Sequence, residues 1–346
     1  VVSLLRDFSA PVVREVERSR EQLAFLLAHD SDPFQRWEAG QRLATEICLA
    51  ISADLALGRA PALDPVLTEA FRALLRDARL DGSFRALALV LPTERMLALE
   101  REPVDVDGLH QAREFMRAGL ARALAADFEE SWQAHSPRGR YVHDKDSIDR
   151  RRSANSALAY LALLDSDGIR QRLRRQALES DNMTDVQSAV MILADSECPE
   201  REEVLDAFYR RWRRDPLVLD KWFSIQALSR LPATLERVFA LAEHPDFGLR
   251  NPNRVRALVG AFAQNQVRFH ACDGRGYRFL SDIVLALDRS NPQLAARMVS
   301  PLQPWRRFDA VRAAAMRAEL ERIAGQPRLS KDLWEMVERT LEAPSA

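Results

Sequence analysis

Glycine and cysteine are both scarce in this sequence of 346 residues, which contains 12 glycines and three cysteines. So few glycines argue against a loop-rich fold, because glycine supplies the backbone angles that many turns and loops require. The three cysteines lie far apart and without metal-site spacing, at Cys48, Cys198 and Cys272. We therefore expect reduced and mostly buried thiols, as in a cytoplasmic protein.

Long apolar runs and an excess of one charge are also missing. No stretch of about 18 residues is free of charged side chains, so we expect no membrane-spanning helix. The 50 basic and 51 acidic residues leave a net charge of −1, too little for general attraction to nucleic acid or an anionic membrane. The sequence begins at Val1 without a basic-then-apolar signal, which we interpret as a start inside a longer protein.

Catalytic motifs are absent as well. None of the six histidines belongs to a His-Glu-x-x-His motif, and no phosphate-binding glycine loop or Gly-x-Ser-x-Gly elbow occurs. We therefore expect no catalytic residue and no metal ligand in this chain. His110 and Glu114, four residues apart, are interpreted as a surface pair on a helix. Cys272 with His270 is the one local nucleophile–base candidate, but a tight turn between two helices is the favoured interpretation.

What the sequence has in abundance is a helix-forming composition. Alanine, leucine and arginine dominate, and hydrophobic residues make up 47% and charged residues 29% of the chain, as is typical of a globular helical protein. Helix starts are predicted where a capping side chain or a proline precedes an apolar run. Such starts occur at Ser19, Pro33, Asp64–Pro65, Pro92, Asp146 and Asp181–Val186.

The helices follow one another closely along the chain. The longest helical run is predicted at residues 105–135, and the helix that Asp146 caps is predicted to end near Leu164. Roughly 14 to 17 helices with short connectors are expected after residue 18, and helices joined this tightly pack as antiparallel neighbours. The sequence therefore predicts an all-α fold, an irregular α-superhelix of stacked antiparallel helix pairs of the armadillo/HEAT type.

Seven short strings carry a more specific signal. Together, in this order and at these separations, they resemble the C-terminal region of the bacterial aminopeptidase N family, the gluzincin metallo-aminopeptidases. The resemblance runs from about residue 8 to the end of the chain. The strings are Phe8–Val12, Phe34–Ala39, Asp181–Asp185, Asp220–Phe223, Asn251–Phe262, Phe269–Leu280 and Asn291–Arg297.

This resemblance implies a domain organisation and an activity. Such enzymes have an N-terminal β-rich domain, a zinc domain, a small β-sandwich and a helical C-terminal domain that closes over the zinc site. Zinc activates a water molecule, a glutamate acts as general base, and N-terminal amino acids are released from peptides. Residues 1–16 are then expected to be the end of the β-sandwich or a lead-in, and residues 17–346 the helical domain.

The same resemblance implies what this chain does not do alone. The zinc motif, the distal glutamate ligand and the Gly-Ala-Met-Glu-Asn motif are all missing from it. We expect zinc in the full-length enzyme, no cofactor in this chain, and no peptide hydrolysis by the isolated chain. The expected partners are the catalytic and N-terminal domains of the same polypeptide, together with peptide substrates, and the expected process is peptide catabolism.

Three polar residues are candidates for the surface that faces the zinc domain and the peptide chamber. The resemblance assigns this role to Arg256, Gln293 and Arg297. Asn251 is a plausible N-cap with Pro252 in the first helical position, which puts Arg254 and Arg256 in the first turn. There a partner carboxylate or a functional anion would justify their positive charges. The other interpretation of these arginines is an intradomain salt bridge or a solvated side chain.

Two other functions remain open from the residues alone. A free-standing helical-repeat scaffold could bind a protein or peptide in its groove. An independent hydrolase using Cys272 and His270 is the third hypothesis.

Overall fold

The computed structural model describes residues 1–6, 12, 16–136 and 139–342. Across these residues it contains 19 α-helices and no strand, apart from an isolated bridge between Val104 and Phe308. The helices are α1 (Arg20–His29), α2 (Pro33–Ala56), α3 (Pro65–Arg76), α4 (Gly82–Ala88), α5 (Glu94–Leu99), α6 (Val106–Ala123), α7 (Ala125–His135), α8 (Lys145–Leu161), α9 (Asp167–Glu179), α10 (Met183–Ala194), α11 (Glu200–Trp212), α12 (Pro216–Ala227), α13 (Thr234–Ala242), α14 (Pro252–Val255), α15 (Gln266–Phe269), α16 (Arg275–Asp288), α17 (Pro292–Met298), α18 (Ala310–Ala324) and α19 (Lys331–Glu342).

The predicted all-α class is confirmed by these elements. Within the described part of the chain, no helix is both long enough and apolar enough to cross a membrane. The string Phe8–Val12, apart from Val12, lies outside the described residues, so its assignment to the end of a β-sandwich stays a prediction. The boundary between 1–16 and 17–346 also stays a prediction.

Several helix starts follow the predicted capping chemistry. Ser19 and Gln22 form a reciprocal capping box at the start of α1, in which each side chain accepts a hydrogen bond from the other's backbone N–H. The side chain of Asp32, directly before Pro33, accepts hydrogen bonds from two backbone N–H groups in the first turn of α2. The side chain of Asp64, directly before Pro65, accepts one such hydrogen bond from the first turn of α3. A side-chain acceptor followed by proline satisfies the unpaired donors of the first turn, which explains where these helices begin.

Two predicted boundaries were wrong, and the predicted helix end near Leu164 agrees with the structure. The run at 105–135 is divided at Leu124 into α6 and α7, although backbone hydrogen bonds continue on both sides of this residue. The cap of α8 is Asp144, not Asp146, because its carboxylate accepts the Ser147 N–H at 2.7 Å. The regular α8 ends at Leu161, and a short 3₁₀ turn carries the chain on to residue 164.

The chain divides into two compact units. The first comprises the residues up to Leu97 together with Asp107–Ile192, and the second comprises Ala98–Val106 and the chain from Leu193 onward. In the first unit, the ring of Tyr160 stacks on Phe128 with centroids 4.5 Å apart and meets Phe71 edge-on. The hydroxyl of Tyr160 donates to the carbonyl oxygen of Leu89 at 2.7 Å, so this buried aromatic cluster also pairs its polar atom.

The second unit has its own aromatic core. Phe269 meets Phe262, His270 and Tyr277 edge-on at centroid distances of 5.8, 5.0 and 5.2 Å. The helical backbone between α14 and this core widens into a π-helical segment at Arg256–Gly260, which is common near functional positions.

Candidate functional site

Arg256 lies at the start of the π-helical segment, just beyond the first turn in which the sequence analysis placed it, whereas the predicted cap at Asn251 is confirmed. The side chain of Asn251 accepts hydrogen bonds from the backbone N–H groups of Asn253 and Arg254 at 3.0 and 3.3 Å, and Pro252 occupies the first helical position. Arg256 is exposed, and its Nη1 donates to the Asn253 side-chain oxygen at 3.1 Å. This local bond leaves most of the guanidinium donors available.

Gln293 and Arg297 lie on the exposed side of α17. Asn291 caps this helix by accepting the Leu294 N–H at 3.1 Å, and Pro292 again takes the first position. Neither Gln293 nor Arg297 forms a hydrogen bond or ion pair with any described residue. Within the described part of the chain, Arg297 therefore has no intradomain salt bridge of the kind we considered, and the two side chains are exposed to solvent one turn apart.

Arg254 has a partner carboxylate, as one of the two sequence-based interpretations expected, and this partner is Asp220. Its Nε donates to Asp220 Oδ1 at 2.6 Å, and Nη1 donates to the carbonyl oxygen of Asp246. The guanidinium also lies 4.9 Å from the ring centroid of Phe223. Two of the seven strings thus meet in one buried ion pair, which gives Arg254 a structural role distinct from that of Arg256.

His270 is a buried core histidine in the second unit. Its ring stacks on Phe308 with centroids 4.3 Å apart, and its Nδ1 lies 2.9 Å from the Tyr277 hydroxyl. Arg312 Nε donates to the carbonyl oxygen of His270 at 2.6 Å. Burial, reinforced by the charge of Arg312, lowers the pKa of His270 from 6.5 to about 3, so the ring is neutral at pH 7.

The hypothesis of a Cys272–His270 hydrolase is wrong. Cys272 is exposed and forms no hydrogen bond with a described residue, whereas His270 is buried and directed toward Tyr277. A thiol nucleophile needs a base within hydrogen-bond reach. The favoured interpretation, a tight turn, is supported by Gly274, whose φ of +70° is the left-handed conformation that glycine adopts without strain.

We expect the stability of the chain to fall as the pH is lowered from 7.5 to 5 because of His270. The unfolded chain binds this proton near the ordinary pKa of 6.5, but the folded chain binds it only near 3. Stability is therefore lost progressively between these two values, by about 2 kcal/mol at pH 5. Urea unfolding of the wild type and His270→Gln at both pH values measures the effect. The stability difference between the two proteins should narrow at pH 5, and an unchanged difference would contradict the assignment.

One group of side chains has the composition of a metal site. Ligand atoms of Glu94, His110 and Glu114 lie within 4.8 Å of one another. His110 Nδ1 on α6 is 2.7 Å from a carboxylate oxygen of Glu94 on α5. The hydrogen-bond partner of His110 therefore lies on a neighbouring helix. However, Arg117 Nη1 donates to both oxygens of Glu114 at 2.9 and 2.8 Å. A guanidinium across this carboxylate opposes cation binding, so these residues do not fit a metal ion.

A cavity of about 810 Å³ lies in the first unit beside Arg85 and His135. His135 Nδ1 lies 2.7 Å from the carbonyl oxygen of Ser131, which can only accept, so Nδ1 carries the proton. Arg85 Nη1 then donates to His135 Nε2 at 3.1 Å, and Nη2 donates to the Asp77 carbonyl oxygen at 2.8 Å. Burial lowers the pKa of His135. The polar atoms of Arg85 and His135 are thus used in hydrogen bonds to each other and to backbone carbonyl oxygens. We interpret them as groups that hold helices together and not as catalytic residues.

Comparison with known proteins gives these positions a context. Residues 20–342 match the family described as a domain of unknown function (DUF3458_C) with ARM repeats. This match confirms the armadillo-like class predicted from the helix succession.

Two curated relatives are similar over nearly the whole chain. The aminopeptidase N of Caulobacter vibrioides is 39% identical over 347 residues, which is 99% of this chain and 39% of that protein. The aminopeptidase N of Haemophilus influenzae is 36% identical over 343 residues, again 99% of this chain and 39% of that protein. The chain thus spans only about two fifths of the length of these relatives.

A solved structure shows the same fold. The crystal structure of Legionella pneumophila aminopeptidase A in complex with aspartic acid superposes with a TM-score of 0.88 at 31% identity. The match covers 98% of this chain and 40% of the Legionella chain. The resemblance carried by the seven strings is confirmed. The chain therefore belongs to the DUF3458_C family of ARM-repeat domains and corresponds to the C-terminal part of aminopeptidases.

Proposed function

We propose that this chain is a non-catalytic domain of a zinc aminopeptidase, which caps the catalytic domain and shapes the chamber through which peptides reach it. The complete enzyme would release N-terminal amino acids from peptides. The observation that carries this proposal is the match of 99% of the chain, at 36–39% identity, to aminopeptidases of which it spans only 39%. A sequence without a zinc motif must then contribute something other than the chemistry of hydrolysis.

Zinc would be held by the catalytic part of the polypeptide. The one metal-like group among the described residues, Glu94 with His110 and Glu114, is already neutralised by Arg117. We therefore propose that the zinc ligands come from outside this chain. Its three cysteines are unpaired thiols, which supports the cytoplasmic location that we propose for the enzyme.

Arg256, Gln293 and Arg297 are the residues that we propose face the catalytic domain and the peptide. All three are exposed, and neither residue of the α17 pair has a partner among the described residues. The π-helical segment and α17 bury their apolar residues, so these three polar side chains are available for outside contact. A guanidinium presents a planar set of donors that matches a carboxylate, such as the C-terminus of a short peptide or an acid of the neighbouring domain.

Replacing Arg297 with alanine in the complete polypeptide should weaken the handling of short peptides. We expect KM for a tripeptide with a free C-terminal carboxylate to rise about 5- to 30-fold, because a charge-assisted hydrogen bond is lost. The kcat for a neutral alanine-anilide should stay unchanged, since that substrate has no carboxylate. Gln293→Ala and Arg256→Ala should give smaller effects in the same direction.

Arg210 provides the matched control for this measurement. It is an exposed arginine of the second unit whose Nη2 lies 3.3 Å from Asp206, and its side chain is 77% exposed. Arg210→Ala should leave both substrates unaffected. If Arg297→Ala and Arg210→Ala have the same KM for the tripeptide, the proposal that Arg297 faces the peptide chamber is contradicted.

A further inference from the structure

The cavity of about 810 Å³ in the first unit is large enough to hold a small molecule. Its walls come from the end of α3 and the loop after it, from α4 and α7, and from the first turns of α8. Leu75, Ala78, Leu80 and Ala134 supply apolar surface. The volume lies in the usual range for small-molecule sites, where a few polar groups determine which ligand is bound.

Arg150 is the lining residue with hydrogen-bond donors to spare. It is half-buried, and its Nη2 donates to the carbonyl oxygens of Ala134 and Ser136, both at 3.1 Å. Its Nε and Nη1 groups form no hydrogen bond, and the guanidinium forms no ion pair, with any described residue. Arg150 therefore keeps donors for an anion in the cavity.

Two carboxylates that line the cavity have no partner. Glu130 on α7 and Asp146 on α8 are exposed, and neither forms a hydrogen bond or an ion pair with a described residue. The two other carboxylates of the lining, Asp127 and Asp149, are each held by a basic side chain. Glu130 and Asp146 are thus the acceptors that remain for a cation in the cavity.

Ser131 points independently to a bound group. It lies on α7 directly after Glu130, lines the cavity and is only 6% exposed. Its hydroxyl has no hydrogen-bond partner among the described residues. A buried hydroxyl without a partner costs free energy, so such groups are normally bonded to protein, water or a ligand. The cavity therefore offers a hydroxyl and a guanidinium beside two carboxylates.

Helix geometry sets the separation of these opposite charges. Arg150 follows Asp146 by four residues on α8, and it binds the carbonyl oxygen of Ala134, which follows Glu130 by four residues on α7. Four residues of helix rise about 6 Å. The charges of an α-amino acid are one residue apart, about 3.5 Å, whereas those of an extended dipeptide are about 7 Å apart. This spacing favours a dipeptide over a free amino acid.

We propose that this cavity binds a short peptide as a zwitterion, with a dipeptide as the preferred length. The C-terminal carboxylate lies against Arg150 and the hydroxyl of Ser131. The N-terminal ammonium lies against Glu130 and Asp146, and apolar side chains of the peptide face the apolar part of the wall. Both charged ends then form charge-assisted hydrogen bonds. The inference rests on the first unit alone and does not depend on the proposed aminopeptidase role.

Titration calorimetry at pH 7 with the 346-residue chain tests this proposal. The main probe is Ala-Leu. N-acetyl-Ala-Leu lacks the ammonium, Ala-Leu-amide lacks the carboxylate, and leucine has both charges at the shorter separation. We expect Ala-Leu to bind with a Kd on the order of 1 mM or below. Each of the three other probes should bind at least about fivefold more weakly, because a charge-assisted hydrogen bond is lost or cannot form.

Three variants assign the binding to this cavity. Arg150→Met should weaken binding of Ala-Leu about tenfold or more, and the double variant Glu130→Gln with Asp146→Asn should do the same. Ala134→Phe, at an exposed position of the wall, occupies the cavity without changing its charge and should abolish binding. Arg210→Met in the second unit should have no effect. Circular dichroism checks that each variant is folded.

The charge variants should also change which probe is preferred. Arg150→Met should erase the preference for Ala-Leu over Ala-Leu-amide, and the double acid variant should erase the preference for Ala-Leu over N-acetyl-Ala-Leu. A merely structural role of these residues would leave both preferences unchanged. No binding of Ala-Leu, equally tight binding of either blocked peptide or of leucine, or unchanged binding by Ala134→Phe would each overturn the proposal.

Discussion

Replacing Gly276 with alanine should destabilise the chain by roughly 1–3 kcal/mol, the range for overpacking that forces a backbone shift in a close-packed core. A Cβ atom at this position would lie 2.5 Å from the carbonyl oxygen of Phe269. That carbonyl cannot move freely, because Phe269 is fully buried and packs against Phe262 and Tyr277. Either α16 or the buried aromatic core must shift to admit the methyl group.

Gly168 provides a matched control for this substitution. Both glycines occupy the second position of an α-helix, Gly276 in α16 and Gly168 in α9, but a Cβ atom at Gly168 would meet no atom within 4 Å. Gly168→Ala should therefore stabilise the chain slightly, by roughly 0.5 kcal/mol, because alanine loses less backbone entropy on folding. Urea unfolding of the two variants should give opposite signs. A loss below about 1 kcal/mol for Gly276→Ala would show that this contact is not tight.

Replacing Arg254 with methionine should cost about 3 kcal/mol of stability. Methionine keeps most of the aliphatic length but removes the charge that pairs with Asp220, whose side chain is only 17% exposed. Leaving a carboxylate without its partner in a largely buried position is more costly than the loss of the pair itself. The cation–π contact with Phe223 and the bond to the Asp246 carbonyl oxygen disappear as well.

A double-mutant cycle separates the pair from its surroundings. Asp220→Asn added to Arg254→Met should restore part of the loss, since no unpaired charge then remains. Arg210→Met, at an exposed arginine with an i, i+4 partner, should change the free energy of unfolding by less than about 0.5 kcal/mol. If the Arg254 and Arg210 variants lose equal stability in urea, Arg254 does not hold α14 against α12 in the way we describe.

Local sequence signals were sufficient to predict helices and several of their starts. Ser19, Asp64 and Asn251 act through hydrogen bonds to residues two or three positions away, so each cap is encoded in a few adjacent residues. The misplacement of the α8 cap has the same origin. Asp144 and Asp146 lie on either side of the first helical residue, and composition alone does not decide which of two nearby carboxylates takes the capping conformation.

Contacts distant in sequence could not be predicted in this way. Arg254 and Asp220 are 34 residues apart, and His110 and Glu94 are 16 apart. Their pairing depends on how separate helices pack, which periodicity does not encode. The i, i+4 pattern therefore suggested Glu114 for His110, whereas the hydrogen bond shown by the structure is to Glu94.

The candidate surface residues were found by a combination of local pattern and resemblance. The spacing of Gln293 and Arg297 predicted one helical face, and the structure shows this face exposed. The role of that face comes from the resemblance to aminopeptidases and remains a proposal. A cavity of about 310 Å³ in the first unit, beside Arg113 and Arg117, had no signal in the sequence, because its lining comes from four separated segments of the chain.

Reconstitution of peptidase activity tests the central claim most directly. Hydrolysis of an alanine-anilide is measured, with zinc present, for this chain alone, for the upstream part of its own polypeptide alone, and for the two mixed. The proposed capping role predicts no activity from this chain and a clear change in the activity of the upstream part on mixing. Activity from this chain alone, or an upstream part that is indifferent to its addition, would contradict that role.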